Sequence, residues 1–243
     1  MDSLPRRRLL EFYDLSEEEV AIFERLRGPT IDLPRHARIR RSGDKVQGVF
    51  LLLRGWAFSS LELSGGQRQI LKVHLPGDML GSPSMVLPRA METLSAATPV
   101  TVASMPLTAF DVLLEKAPRL MASMFLSSQQ ERVLLSDRLA AVGRTSAAQR
   151  FAALLLQLHD RIAGPTTLGP VSIHLPLTQE DFADLLGITA VHVNRILRQL
   201  AEAKLIVRRQ YDYEFDAERL RDFSGLPRRE WIRNPSWFSP DRT

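Results

Sequence analysis

Residues 190–200, AVHVNRILRQL, put Ala190, Val191, Asn194, Arg195 and Arg198 on one helical face, with His192 beside them and no carboxylate in the stretch. A guanidinium presents a planar fork of donors that matches guanine O6 and N7, and a valine packs on a thymine methyl. Such a face does the chemistry of groove recognition. Bond-making chemistry has no comparable constellation. The five histidines (His36, His74, His159, His174, His192) show no metal-ligand spacing, and His74 alone stands at a strand end where an axial haem ligand is conceivable. No HxH…E set of a metal-binding β roll, nucleophile–base pair or P-loop occurs, and Glu17, Glu18 and Glu19 read as a solvated helix start. The expectation is a binding protein with no metal and no cofactor, not an enzyme.

The elements that must position this face lie in residues 177–209. Thr178 is a candidate N-cap, Phe182, Leu185 and Leu186 give a first helix its apolar side, and Gly187 ends it. Thr189 then caps a second helix with Val193, Ile196, Leu197 and Leu200 inward, and the small Ala183 lets the two helices cross closely. This is the grammar of a helix-turn-helix, whose second helix enters the DNA major groove. On that reading the outward face of the second helix, with the helix starts at Thr178, Gln179 and Thr189, is the side that meets DNA.

Composition narrows the rest. The chain has 243 residues, 44% of them hydrophobic, enough for a sizeable core and two domains. Net charge is only +4, so a nucleic-acid footprint must be local, around Arg195, Arg198, Lys204, Arg208 and Arg209. With no cysteine there are no disulfides, thiolate zinc sites or cysteine-ligated iron–sulfur clusters. No apolar run approaches the ~20 residues of a membrane span, and the start lacks a signal core, so a cytoplasmic protein is expected.

Along the chain, Ser16 and Glu19 form a capping box for a first amphipathic helix over 14–27. From residue 30 to 105 the period shortens to that of strands, at 48–53, 56–63, 69–74 and 99–105, with turns at Gly43, Gly65-Gly66 and Gly77. This predicts an all-β sandwich, roll or barrel. Helices follow at 107–116 and 120–142. Met121, Met124, Phe125, Leu135, Leu139 and Val142 could form a seam on the longer one, interrupted by Ser128, Glu131 and Arg132, so that it either packs on its own β domain or pairs with a second copy. Gly143-Arg144-Thr145 reads as a hinge, a helix covers 147–162, and 164–170 is a loop. A strand at 171–175 and a hairpin, 205–209 with 213–215, would flank the helix-turn-helix as a wing, before a last short helix at 217–223. The tail 226–243 carries Trp231, Trp237 and Phe238 and is expected to dock on a domain surface.

This order of elements resembles the Crp/Fnr family of bacterial transcription regulators over about residues 15–224. Residues 177–206 carry the resemblance, with the glycine framework Gly43, Gly55, Gly65-Gly66, Gly77 and Gly81. It implies an α+β chain. A β-roll sensor (double-stranded jelly-roll-like) with its N-terminal helix covers 1–117, and a long dimerisation helix covers 118–143. A winged helix-turn-helix covers 144–225 and a tail 226–243. It further implies a homodimer on a pseudo-palindromic operator, with RNA polymerase as a partner. By position the resemblance implies that Ala190, Val191 and Arg195 read bases, Arg195 matching the family's arginine and Val191 standing where many members have glutamate. Asn194 is set with them and reaches a base or a phosphate, and Thr178, Gln179, Thr189, His192 and Arg198 are placed for phosphates. In cyclic-nucleotide-binding members, a segment opening at the position of Gly81 carries a glutamate for the ribose, then an arginine and a serine for the cyclic phosphate. Here those positions hold Ser82 and Ala90-Met91, with Arg89 one residue away. Gly81, Ser82, Arg89, Ala90 and Met91 thus mark the possible effector pocket. The resemblance implies no dependence on cyclic AMP, and leaves another small-molecule or haem effector as the alternative.

Overall fold

The computed structural model describes residue 8 and residues 10–164 and 169–237; the expectations for residues 165–168 and for Phe238 lie outside these. The chain forms two compact units, one of residues up to Gln129 joined by the segment from Trp231, the other Gln130–Glu230.

The first unit opens with helix α1 (Glu17–Leu26), held by the anticipated capping box of Ser16 and Glu19. Eight strands follow: β1 (Thr30–Leu33), β2 (Arg38–Arg40), β3 (Gly48–Arg54), β4 (Ala57–Glu62), β5 (Arg68–His74), β6 (Met79–Leu80), β7 (Thr93–Ala96) and β8 (Val100–Pro106). They build two antiparallel four-stranded sheets, ordered β1-β8-β3-β6 and β2-β7-β4-β5. Helices α2 (Ala109–Lys116) and α3 (Pro118–Arg144) come next.

Strand β3 explains how the roll is filled. Side chains alternate faces along a strand. Val49, Leu51 and Leu53 therefore share one core with Ile22 and Phe23 of α1, Met105 of β8, Leu113 of α2 and Leu120 of α3. Leu52 points the other way and joins Leu80, Leu94, Ala96, Val100 and Val102. The run is apolar throughout because both faces are covered.

Two sequence readings are resolved in α3. Met121 and Met124 pack against the core of the roll, leaving Phe125, Leu135, Leu139 and Val142 as the exposed apolar residues of the expected seam. Gly143 does not break the helix, which runs to Arg144. The first unit is completed by the chain's last described segment. Trp231 packs on Phe12, Tyr13 and Leu126, the Asn234 amide donates to the Phe12 carbonyl at 2.8 Å, and Arg233 pairs with Asp14 at 2.7 Å.

In the second unit, helix α4 (Ala147–Ala163), strand β9 (Pro170–His174), helices α5 (Gln179–Leu186) and α6 (Ala190–Glu202), strands β10 (Ile206–Arg209) and β11 (Asp212–Asp216) and helix α7 (Ala217–Ser224) follow in order. The strands form one antiparallel sheet, β10-β11-β9. Its centre is an aromatic trio from three elements. Phe151 of α4 and Phe182 of α5 have ring centroids 5.1 Å apart, and Tyr213 of β11 lies 5.9 Å from Phe182. Tyr213 is fully buried, its hydroxyl has no hydrogen-bond partner among the described residues, and burial pushes its pKa up to about 12. An unpaired buried hydroxyl is a cost that phenylalanine avoids. Tyr213→Phe is expected to raise stability by about 1 kcal/mol in urea denaturation; a loss of stability would show that the hydroxyl is satisfied in solution.

Candidate nucleic-acid interface

The second unit presents two helices whose starts are fixed by side-chain caps. Thr178 and Asp181 form a capping box: the Asp181 amide donates to Thr178 Oγ1 at 3.1 Å, and the Thr178 amide donates to Asp181 Oδ2 at 2.9 Å. Helix α5 ends at Gly187, whose φ of 66° is left-handed and favours a residue without Cβ. The Ile188 amide returns to the Ala183 carbonyl at 3.1 Å, and Ala183 is buried as expected of a small residue at a close helix crossing. Thr189 then accepts from the His192 amide at 3.2 Å and starts α6.

With Val193, Ile196, Leu197 and Leu200 buried, the rotation of α6 is set. Asn194, Arg195 and Arg198 are exposed, Ala190 and His192 are half-buried, and Val191 is 79% exposed. An apolar side chain left that bare on the first turn has nothing of its own unit to cover it. Asn194 is not a free polar residue: its Nδ2 donates to Gln179 Oε1 of α5 at 2.6 Å, which links the two helix starts. Thr178 and Thr189 likewise sit at the helix starts with their hydroxyls used as caps. The expected base-reading and phosphate-contacting residues therefore converge on one side of α5 and α6. Beyond them the β10–β11 hairpin turns at Gln210 (φ 56°), whose carbonyl accepts from Arg208 Nε at 2.9 Å.

The five expected effector residues in the roll do not converge in the same way. Gly81 opens a 3-10 helix (Ser82–Val86). Ser82 Oγ turns back to the Met79 carbonyl, exposed Arg89 donates to the Gly43 carbonyl at 3.0 Å, Ala90 is buried and Met91 is exposed. Three residues that sequence reasoning missed meet there instead. Arg40 Nη2 lies 3.1 Å from Glu92 Oε1, and Ser84 Oγ donates to the same oxygen at 3.2 Å. All three side chains are buried. The spacing of 52 residues between Arg40 and Glu92 left no local signal of the pairing. A cyclic phosphate does not fit these residues: the ribose carboxylate is replaced by Ser82, and the arginine–serine positions are Ala90 and Met91. His74, the conceivable haem ligand, is buried with Nε2 3.2 Å from Ser59 Oγ. Among the described residues no three His, Cys, Asp or Glu side chains are grouped to hold a metal.

Known proteins agree with this arrangement. Residues 30–117 match the cyclic nucleotide-binding domain family and residues 149–223 the Crp-like helix-turn-helix domain family. The chain is 32% identical over 190 residues to the transcriptional activatory protein AadR of Rhodopseudomonas palustris, covering 76% of each chain. It is 29% identical to the nitrogen fixation regulation protein FixK of Rhizobium meliloti, over 60% of this chain and 63% of that one. The fold is similar to that of FixK2 from Bradyrhizobium japonicum, with a TM-score of 0.70 and 22% identity over 80% of this chain and 96% of that one. A CooA mutant from Carboxydothermus hydrogenoformans gives 0.71 and 18% over 92% and 97%. A roll of the cyclic-nucleotide-binding type, a helix-turn-helix of the Crp type and a relative at this identity place the chain in the Crp/Fnr family of transcription regulators.

Proposed function

We propose that the chain acts as a homodimer that binds a pseudo-palindromic DNA site and regulates transcription, with RNA polymerase as its partner. The observation that carries the reading is the outward face of α6, where exposed Val191, Asn194, Arg195 and Arg198 stand together without a carboxylate. Arg195 takes a guanine through O6 and N7, and Val191 packs on a thymine methyl where a glutamate would have accepted a cytosine amino proton. Ala190 leaves room for the groove floor, and Asn194 reaches a base edge while tied to Gln179. Gln179, His192 and Arg198, with the capped helix starts at Thr178 and Thr189, fix the register on phosphates.

The homodimer is supported by α3. Leu135, Leu139 and Val142 follow the i, i+4, i+7 spacing of a helix seam and are 55%, 76% and 65% exposed. A second copy covers them, and two-fold symmetry then sets the half-sites ~34 Å apart. The relative's name, a transcriptional activatory protein, supports activation as the outcome. No described helix is long and apolar enough to cross a membrane, and a DNA reader works in the cytoplasm.

Site selection from random duplexes by the purified protein tests the reading. Enrichment of inverted repeats with a guanine, and with no cytosine at the neighbouring step, is expected; recovery of unrelated sequences would refute it. Arg198→Ala should weaken all sequences alike and lower the salt slope by about 0.9 for each phosphate it no longer neutralises. A change in preferred sequence instead would move Arg198 to the base-reading set.

A further inference from the structure

We infer that the anion site of the roll is built around Arg40 and holds the chain's own Glu92 carboxylate as its ligand. The inference rests on reading the roll as the sensor unit and is independent of which DNA site α6 reads.

The geometry is that of a cradle already filled. Gly81, with φ of 82°, opens the 3-10 helix, and a Cβ there would lie 2.6 Å from Arg40 Nη2 and 2.8 Å from its Cζ. Glycine therefore gives way to a guanidinium pressed against the backbone. Arg40 Nη1 donates to the Gly48 carbonyl at 3.4 Å, and Nη2 to the Gly81 carbonyl at 3.5 Å and to Glu92. The carboxylate oxygen that Arg40 meets also accepts from Ser84 Oγ, and Ser84 Oγ accepts from the Met91 amide at 3.2 Å. A fixed cation and a serine hydroxyl, itself held by the Met91 amide, are donors an oxyanion needs. The side chains of Arg40 and Glu92 are only 6% and 2% exposed.

Electrostatics point the same way. Burial pushes the Arg40 guanidinium below its usual pKa, and the Glu92 charge opposes that shift. One donor, Arg40 Nε, is buried and has no acceptor among the described residues. The cradle is thus shaped around an anion and has a donor to spare, which a small oxyanion in place of Glu92 can take up. Removing the carboxylate leaves a buried cation without its counter-charge. The ligand class is a carboxylate or an inorganic oxyanion, and an exogenous nucleotide phosphate is kept out by a group the chain itself supplies.

Equilibrium urea unfolding of the full chain, at constant ionic strength with chloride as the reference salt, tests this. Cyclic AMP, phosphate and acetate should leave the wild-type midpoint unchanged. Glu92→Ala should unfold at lower urea, and acetate or phosphate should raise its midpoint saturably, with at least about a tenfold larger shift in folding constant than chloride gives. If Glu92→Ala does not fold in chloride, refolding it in acetate should recover it. Glu92→Gln keeps the volume and removes the charge, so it should be less stable than wild type and insensitive to acetate. The Arg40→Met/Glu92→Leu double variant should fold without any anion response. A saturable shift of the wild type by cyclic AMP would overturn the inference. So would a Glu92→Ala protein that no oxyanion stabilises, or a Glu92→Gln protein as stable as wild type.

Discussion

Arg195→Ala is expected to weaken operator binding more than any other single change on α6, and to erase the guanine preference in each half-site. A bidentate guanidinium–guanine contact is worth ~1–3 kcal/mol. The proposed dimer would make it twice, so the loss is ~2–6 kcal/mol per operator, a factor of roughly 30 to 10⁴. Arg195 is exposed and the helix is held from its other side by Val193, Ile196, Leu197 and Leu200. Melting of the variant should therefore match wild type to within about 0.5 kcal/mol. Gel-shift titrations against the selected site and the same site with the guanine replaced give the comparison. Wild type should separate the two sites and the variant should not. Retained discrimination would mean that another side chain reads that base.

Phe182→Ala should act on the opposite link, reducing the folded fraction of the unit that carries the reader while leaving the reader itself unchanged. Phe182 is 1% exposed and lies between Phe151 and Tyr213, so one ring joins α4, α5 and β11. Truncating a buried phenylalanine costs ~3–5 kcal/mol, of which part is the cavity left behind. Domain stabilities are only ~5–15 kcal/mol, so the loss is from about a fifth to the whole of such a stability. Denaturation followed by the second unit's signal should shift strongly to lower urea. DNA affinity of the fraction that remains folded should be nearly normal, because no groove-facing residue is changed. A folded, stable Phe182→Ala protein that still failed to bind would place Phe182 in the interface itself.

The helix-turn-helix was readable because each of its devices is local. Thr178, Gly187 and Thr189 act on backbone groups within four residues, and the inward quartet of α6 repeats at helical spacing. The long apolar strand at 48–54 was readable for a related reason, since it is covered on both faces. The short strands Thr30–Leu33, Arg38–Arg40, Met79–Leu80 and Thr93–Ala96 were not, because their existence depends on partners far along the chain. Thr30–Leu33 pairs with Val100–Pro106, and Arg38–Arg40 with Thr93–Ala96. The roll's buried pair was hidden by the same distance. Arg40 stands in an arginine-rich turn region and reads as solvated, and only the pairing of its strand with the one beginning at Thr93 brings Glu92 to it. The sequence left Met121 and Met124 open between the roll and a second copy, because a helix period fixes spacing but not which neighbour receives each face; they pack on the roll.

The return of Trp231, Arg233 and Asn234 to Phe12 and Asp14 has a consequence for the order in which the protein is made. On the ribosome, Gln130–Glu230 is one continuous stretch, whereas the unit of Phe12 and Leu126 waits until all of that stretch has been made before Trp231 can close its Phe12–Tyr13–Leu126 cluster. The unit that carries Phe12 is therefore sealed only after the unit that follows it has been synthesised.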